Sequence, residues 1–153
     1  MALYLVQHGQ SAPHDVDPDK GLTAEGRSAV RRIAQVAHGY GIKVQCILHS
    51  GKTRARQTAE ILAEILSPPE GLHSKTGLQP LDDVTALAGL VASKTDLMLV
   101  GHLPFMERLA AWLVTGSAET PIFRFQNGGI VCLKENPAQN GWIIVWALMP
   151  RID

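Results

Sequence analysis

Three places in this chain carry side chains suited to chemistry directly after a short apolar run: Gln7-His8-Gly9, His49-Ser50 with Arg54 just beyond, and Gly101-His102. A neutral imidazole is a nucleophile and a proton carrier near neutral pH, and a guanidinium offers a planar fork to two oxygens of an anion. Two histidines and an arginine in one place would suit transfer of a group such as phosphoryl, whose transition state spreads negative charge over three oxygens. A single histidine at a strand end is more often a satisfied polar edge residue. The chemical reading therefore requires His8, Arg54 and His102 to converge.

The pattern of the chain says what must bring them together. Leu3-Tyr4-Leu5-Val6, Val44 to Leu48 and Leu97-Met98-Leu99-Val100 read as strands buried on both faces, each ending at one of the polar groups above. Thr23 is a suitable N-cap for a helix in which Val30, Ile33, Ala34 and Ala37 share one face, with Gly39 and Gly41 ending it. A second helix runs from beyond Gly51 to about Leu66, with Thr58, Ile61, Leu62 and Ile65 inward and Pro68-Pro69 as the stop. The following stretch yields only a short helix near Val84 to Ala92, capped by Asp82 or Asp83. Pro104 marks the start of a helix burying Phe105, Leu109, Trp112 and Leu113. Gly129 to Lys134 and Trp142 to Leu148 close the chain as a hairpin. Strands alternating with helices predict one α/β domain over 1–153: a three-layer α/β/α sandwich with a mainly parallel sheet and a C-terminal antiparallel hairpin. In such sheets ligands bind at the carboxyl ends of the strands.

Composition narrows the partners. With 14 Lys plus Arg against 14 Asp plus Glu the formal charge is zero, so no global field favours nucleic acid or an anionic membrane. The longest apolar run, Ile143 to Met149, is too short to span a bilayer, and the N-terminal stretch lacks the basic start of a signal peptide. A cytoplasmic location is the expectation. Cys46 and Cys132 both lie in strand-like runs and read as small buried hydrophobes. Trp112, Trp142 and Trp146 are expected in the core.

Four segments, in order along the chain, resemble the motifs of the histidine phosphatase (phosphoglycerate mutase-like) superfamily. Val6-Gln7-His8-Gly9-Gln10-Ser11 resembles the Arg-His-Gly signature whose histidine is phosphorylated during turnover, and Leu22-Thr23 with Gly26-Arg27 is similar to a Leu-Thr-x-x-Gly-Arg segment. Ser50 to Ala59 resembles Ser-x-x-x-Arg-x-x-Gln-Thr-Ala, and Leu99-Val100-Gly101-His102 with Pro104 resembles the segment of the second catalytic histidine. The short chain is similar to the small phosphohistidine phosphatases of the SixA type. The resemblance implies His8 as nucleophile, Arg54 and His102 as its catalytic partners, and a phosphate held by positions 7, 8, 54 and 102 without metal or cofactor. The implied partners are a protein bearing phosphohistidine or a small phosphoester.

One position departs from the signature: Gln7 stands where the family has arginine. Glutamine brings no charge and no fork, so the alternative to an enzyme is a phosphate- or phosphoprotein-binding module of the same fold with impaired catalysis. Lys20, Lys52 and Arg56 are candidates to supply the missing charge, and Asp82 and Asp83 lie where a loop could bring a general acid to the site, although helix capping is the better explanation of both. Gly51-Lys52-Thr53 lacks the upstream glycine of a phosphate-binding nucleotide loop, where Cys46 stands. Asp15, Asp17 and Asp19 lack the glycine and glutamate that a calcium loop needs. His14, His38, His49 and His73 have no zinc-site spacing and read as surface or edge residues.

Overall fold

A computed structural model describes residues 1–152. The order is β1 (Leu3–Gln7), α1 (Ala24–Gly39), β2 (Cys46–His49), α2 (Thr53–Leu66), β3 (Leu72–Ser74), a 3-10 turn (Val84–Leu87) running into α3 (Ala88–Ser93), β4 (Leu97–Gly101), α4 (Phe105–Thr115), β5 (Ile130–Glu135) and β6 (Trp142–Leu148). All six strands join one sheet in the order β3-β2-β4-β1-β5-β6. The first four in that row run parallel, while β5 lies antiparallel to β1 and β6 antiparallel to β5.

Alternation along the strands divides the interior in two, because successive side chains leave opposite faces of a sheet. Tyr4, Val6, Ile47, Met98 and Val100 pack with Val30, Ile33 and Ala34 of α1 and Ala59 and Leu62 of α2. Leu3, Leu5, Leu97 and Leu99 pack on the other side with Val91 of α3 and Phe105, Leu109 and Leu113 of α4. Helices on both faces explain why the inner parallel strands β1, β2 and β4 are apolar up to their carboxyl ends, as a three-layer fold requires, whereas the edge strand β3 is largely polar and exposed.

Local chemistry sets the element ends. Thr23 caps α1 by accepting from the Gly26 amide at 2.9 Å. Asp83 caps the 3-10 turn by accepting from the Thr85 amide at 3.0 Å. Ser67 ends α2 in the left-handed region at φ 50°, directly before the two prolines.

Three expectations need correction. β3 escapes sequence reading because its three residues, Leu72-His73-Ser74, are too short to show a period. Trp112, Trp142 and Trp146 are half-buried at the margins of the two cores, where one edge of a large ring meets solvent, and Ile65 is likewise half-buried. Cys46 is partly exposed at the start of β2, whereas Cys132 is buried; both thiols are free.

Candidate active site

The connection leaving β1 goes to α1 on one face of the sheet, and that leaving β4 goes to α4 on the other. β1 and β4 are neighbours, so a crevice opens between their carboxyl ends, where such sheets bind ligands. The register pairs Gln7 with Gly101, and the His8 amide donates to the Gly101 carbonyl at 2.9 Å. His8 and His102 therefore leave adjacent strands side by side, with ring centroids 5.0 Å apart.

His8 is anchored from three directions. Its Nδ1 lies 2.7 Å from the Gly9 carbonyl oxygen, which only accepts, so Nδ1 carries the proton and Nε2 keeps its lone pair. Arg54 Nε donates to that lone pair at 3.3 Å. The His8 carbonyl accepts from Asn127 Nδ2 at 3.0 Å, on the segment leading into β5. Burial, reinforced by the charges of Arg54 and Lys20, pushes the His8 pKa down to about 4 despite the opposing bond to Gly9.

Arg54 stands in the first turn of α2, a helix whose N-cap, Lys52, makes no side-chain capping bond. The positive end of the helix dipole thus lies at the turn that carries the guanidinium. One turn later Thr58, fully buried, donates its hydroxyl to the Arg54 carbonyl at 2.8 Å and accepts from the Gly9 amide at 2.9 Å. Gln57 Oε1 accepts from the Leu22 amide at 2.8 Å. These two side chains tie α2 to the loop behind the nucleophile. Gly9 and Gly26 are small for the same reason: a Cβ on Gly9 would press on Val30 Cγ2 at 2.8 Å, and one on Gly26 would collide with the Gln10 backbone.

His102 is 1% exposed and Ser50 7%, and Ser50 Oγ lies 2.6 Å from His102 Nε2. His102 Nδ1 is buried with no partner among the described residues. Burial, then the positive fields of His8, Arg54 and Lys52, push the His102 pKa down to about 3. The crevice is poor in compensating negative charge and suited to an anion.

The remaining candidates separate cleanly. Gln7 lines a cavity of about 390 Å³ with Arg124, Asn127 and Arg151, and its Oε1 is buried without a partner among the described residues. Arg56 is paired with Glu60 at 3.0 Å on the exposed side of α2, so its charge is engaged there and does not replace the arginine missing at position 7. Lys20 and Lys52 do exert their fields on His8 and His102. Asp82 Oδ2 accepts from the Gln79 amide at 2.8 Å and Asp83 caps the 3-10 turn, beside a groove of about 560 Å³ that reaches Ser50. Asp17 organises its own loop, accepting from the Asp19 amide at 3.0 Å and the Gly21 amide at 2.9 Å. His49 is a buried strand-end residue whose Nδ1 accepts from the Gly51 amide at 3.1 Å.

The sequence motif contains Ser50 and Thr58 but assigns neither a role, and Asn127 carries no signal at all. The tertiary partners of Ser50 and Asn127 lie 52 and 119 residues away, beyond the reach of any local pattern.

Comparison with known proteins bears on this arrangement. The model of the histidine phosphatase superfamily, branch 1, matches residues 3–79. An uncharacterized protein of Picosynechococcus sp. is 33% identical over 91% of this chain and 88% of its own length. Phosphohistidine phosphatase SixA of Escherichia coli K12 is 26% identical over 98% of this chain and 94% of its own. A solved structure of the protein histidine phosphatase SixA complexed with tungstate superposes with a TM-score of 0.84 at 25% identity, covering 98% of this chain and 97% of the other. Among the described residues no helix is long and apolar enough to cross a membrane.

Proposed function

Because this chain belongs to the histidine phosphatase superfamily, we propose that it is a hydrolase that passes a phosphoryl group through His8 Nε2 to water, its substrate a phosphohistidine-bearing protein or a small phosphoester. The observation that carries the reading is the state of His8: Nδ1 is held by a carbonyl at 2.7 Å, so Nε2 presents a lone pair, and Arg54 stands 3.3 Å from it. In the first step Nε2 bonds to phosphorus as the bond to the leaving group breaks, and the leaving group departs with the electron pair and takes up a proton from solvent. In the second, water attacks phosphorus, the N–P bond breaks, its electron pair returns to Nε2, and of the water's two protons one stays on the released phosphate while the other returns to solvent, replacing the one taken up in the first step. Arg54 and His102 hold the equatorial oxygens as charge builds on them. No metal or cofactor enters the scheme.

A phosphohistidine substrate suits a site in which Asp82 and Asp83 are engaged in turn and capping bonds, because an imidazole leaving group needs less acid assistance than an alkoxide. The relative whose structure holds tungstate, a tetrahedral oxyanion, supports a phosphate-sized site. Lys20, held at φ 53° with its charge acting on His8, is the cation proposed to stand in part for the arginine missing at position 7.

Gln7 favours the second reading, a module that binds a phosphorylated partner without efficient turnover, since loss of one transition-state donor typically costs about 10² to 10³ in rate. Assays with a phosphohistidine-bearing protein and a chromogenic aryl phosphate decide between them. Turnover by the native chain that His8→Ala abolishes supports the enzyme. Phosphate binding without turnover, with turnover appearing in Gln7→Arg, supports the module, and neither binding nor turnover in either protein overturns both.

A further inference from the structure

His102 has two ring nitrogens, and which one carries the proton decides what it can offer an anion. Nε2 lies 2.6 Å from Ser50 Oγ, and both residues are buried where β2 and β4 end. The Lys52 amide donates to the same hydroxyl oxygen at 3.4 Å and takes up one of its lone pairs. Among the described residues the hydroxyl hydrogen has one acceptor within reach, His102 Nε2. If the bond ran the other way, from Nε2–H to Oγ, the hydroxyl hydrogen would be buried without an acceptor and Nδ1 would turn a bare lone pair toward an incoming anion. Both consequences are unfavourable.

We infer that Ser50 is a positioning residue that donates its hydroxyl hydrogen to Nε2, holds His102 as the neutral Nδ1–H tautomer, and so makes Nδ1–H the bond offered to a phosphate oxygen. Nδ1 fits that role as a buried nitrogen with no partner among the described residues. His102 then works as a neutral donor, and Ser50 keeps it from spending its proton on the protein. The catalytic part of the inference rests on the phosphatase reading; the tautomer does not.

Long-range ¹H–¹⁵N spectra of the full chain labelled in histidine report the tautomer directly, with His102 assigned by the peak lost in His102→Gln. The expected native spectrum shows Nδ1–H from pH 6 to 8, retained in Ser50→Thr and replaced by a mixture in Ser50→Ala. In the aryl phosphate assay Ser50→Ala is expected to lose about tenfold or more in kcat, as for a weakened transition-state donor, and Ser50→Thr to recover most of it. An Nε2–H tautomer in the native protein, or an unchanged tautomer in Ser50→Ala, overturns the inference, and the native spectrum decides even if a variant fails to fold. Absence of turnover in every protein counts against the phosphatase reading and leaves the tautomer result standing.

Discussion

Replacing Thr58 by valine keeps the shape of the side chain and removes a hydroxyl that serves two masters. The site is fully buried, so no solvent takes the hydroxyl's place. The Arg54 carbonyl, which the hydroxyl also bonds at 2.8 Å, lies inside α2 and keeps its helical hydrogen bond. The Gly9 amide, whose bond to Thr58 Oγ1 is 2.9 Å, is left buried and unpaired. An orphaned buried donor costs about 1–3 kcal/mol, which for a chain of this length lowers Tm by about 2–12 °C. Activity is expected to fall as well, because the residue that loses its amide bond supplies the carbonyl that holds His8 Nδ1 at 2.7 Å. About 1.4 kcal/mol of misalignment in the transition state is a tenfold loss in kcat, with KM changed less. Urea unfolding of Thr58→Val beside steady-state kinetics measures both effects. A stability change within about 0.3 kcal/mol together with an unchanged kcat would refute the claim that Thr58 braces the nucleophile's turn.

Three further outcomes are expected. His8 must be neutral to attack, and its pKa is lowered to about 4, so the acid limb of kcat/KM should fall near pH 4 instead of near the ordinary histidine value; a limb near 6.5 in the free enzyme would contradict the burial of the ring. The same depression acts on stability: protons bind the unfolded chain more readily, so the contribution is full above about pH 6.5 and declines as pH falls toward about 4 for His8 and about 3 for His102, with a slope of up to about 1.4 kcal/mol per pH unit for each ring, measurable by urea titration across that range. Gly26→Ala should destabilise by about 1–3 kcal/mol, because the added Cβ meets the Gln10 backbone, which cannot swing aside like a flexible side chain; an unaltered urea midpoint would show that the loop yields freely.

Much of this architecture was legible in residues that are near one another in the chain. The apolar stretch of β1, the threonine cap and inward stripe of α1 and the prolines after α2 are local signals, since a helix or strand is encoded by neighbours three or two positions apart. His8, Arg54 and His102 were picked out by their places at or just beyond strand ends together with the resemblance to the family's motifs, and the fold brings the three side chains into one crevice. β3 was not legible, being shorter than one diagnostic period, and the tryptophans were misjudged because apolar pattern does not distinguish a core's centre from its margin.

Which partner each side chain finds is a different kind of fact. That β4 inserts between β2 and β1, so that His102 stands next to His8 and Ser50 alike, follows from how two apolar clusters close on opposite faces of the sheet. The bonds from Thr58 to Gly9, Ser50 to His102 and Asn127 to His8 join residues 49, 52 and 119 positions apart, and each sets a proton or an angle that no local pattern records. Gln7 shows the same division. The sequence alone established that a charge is absent there, and only packing decided that this side chain faces Arg124 and Asn127 across a cavity while Lys20 and Arg54 act on the nucleophile. Residue types are chosen one at a time along the chain, but hydrogen bonds and fields depend on distance through space, which exists only once the layers have closed.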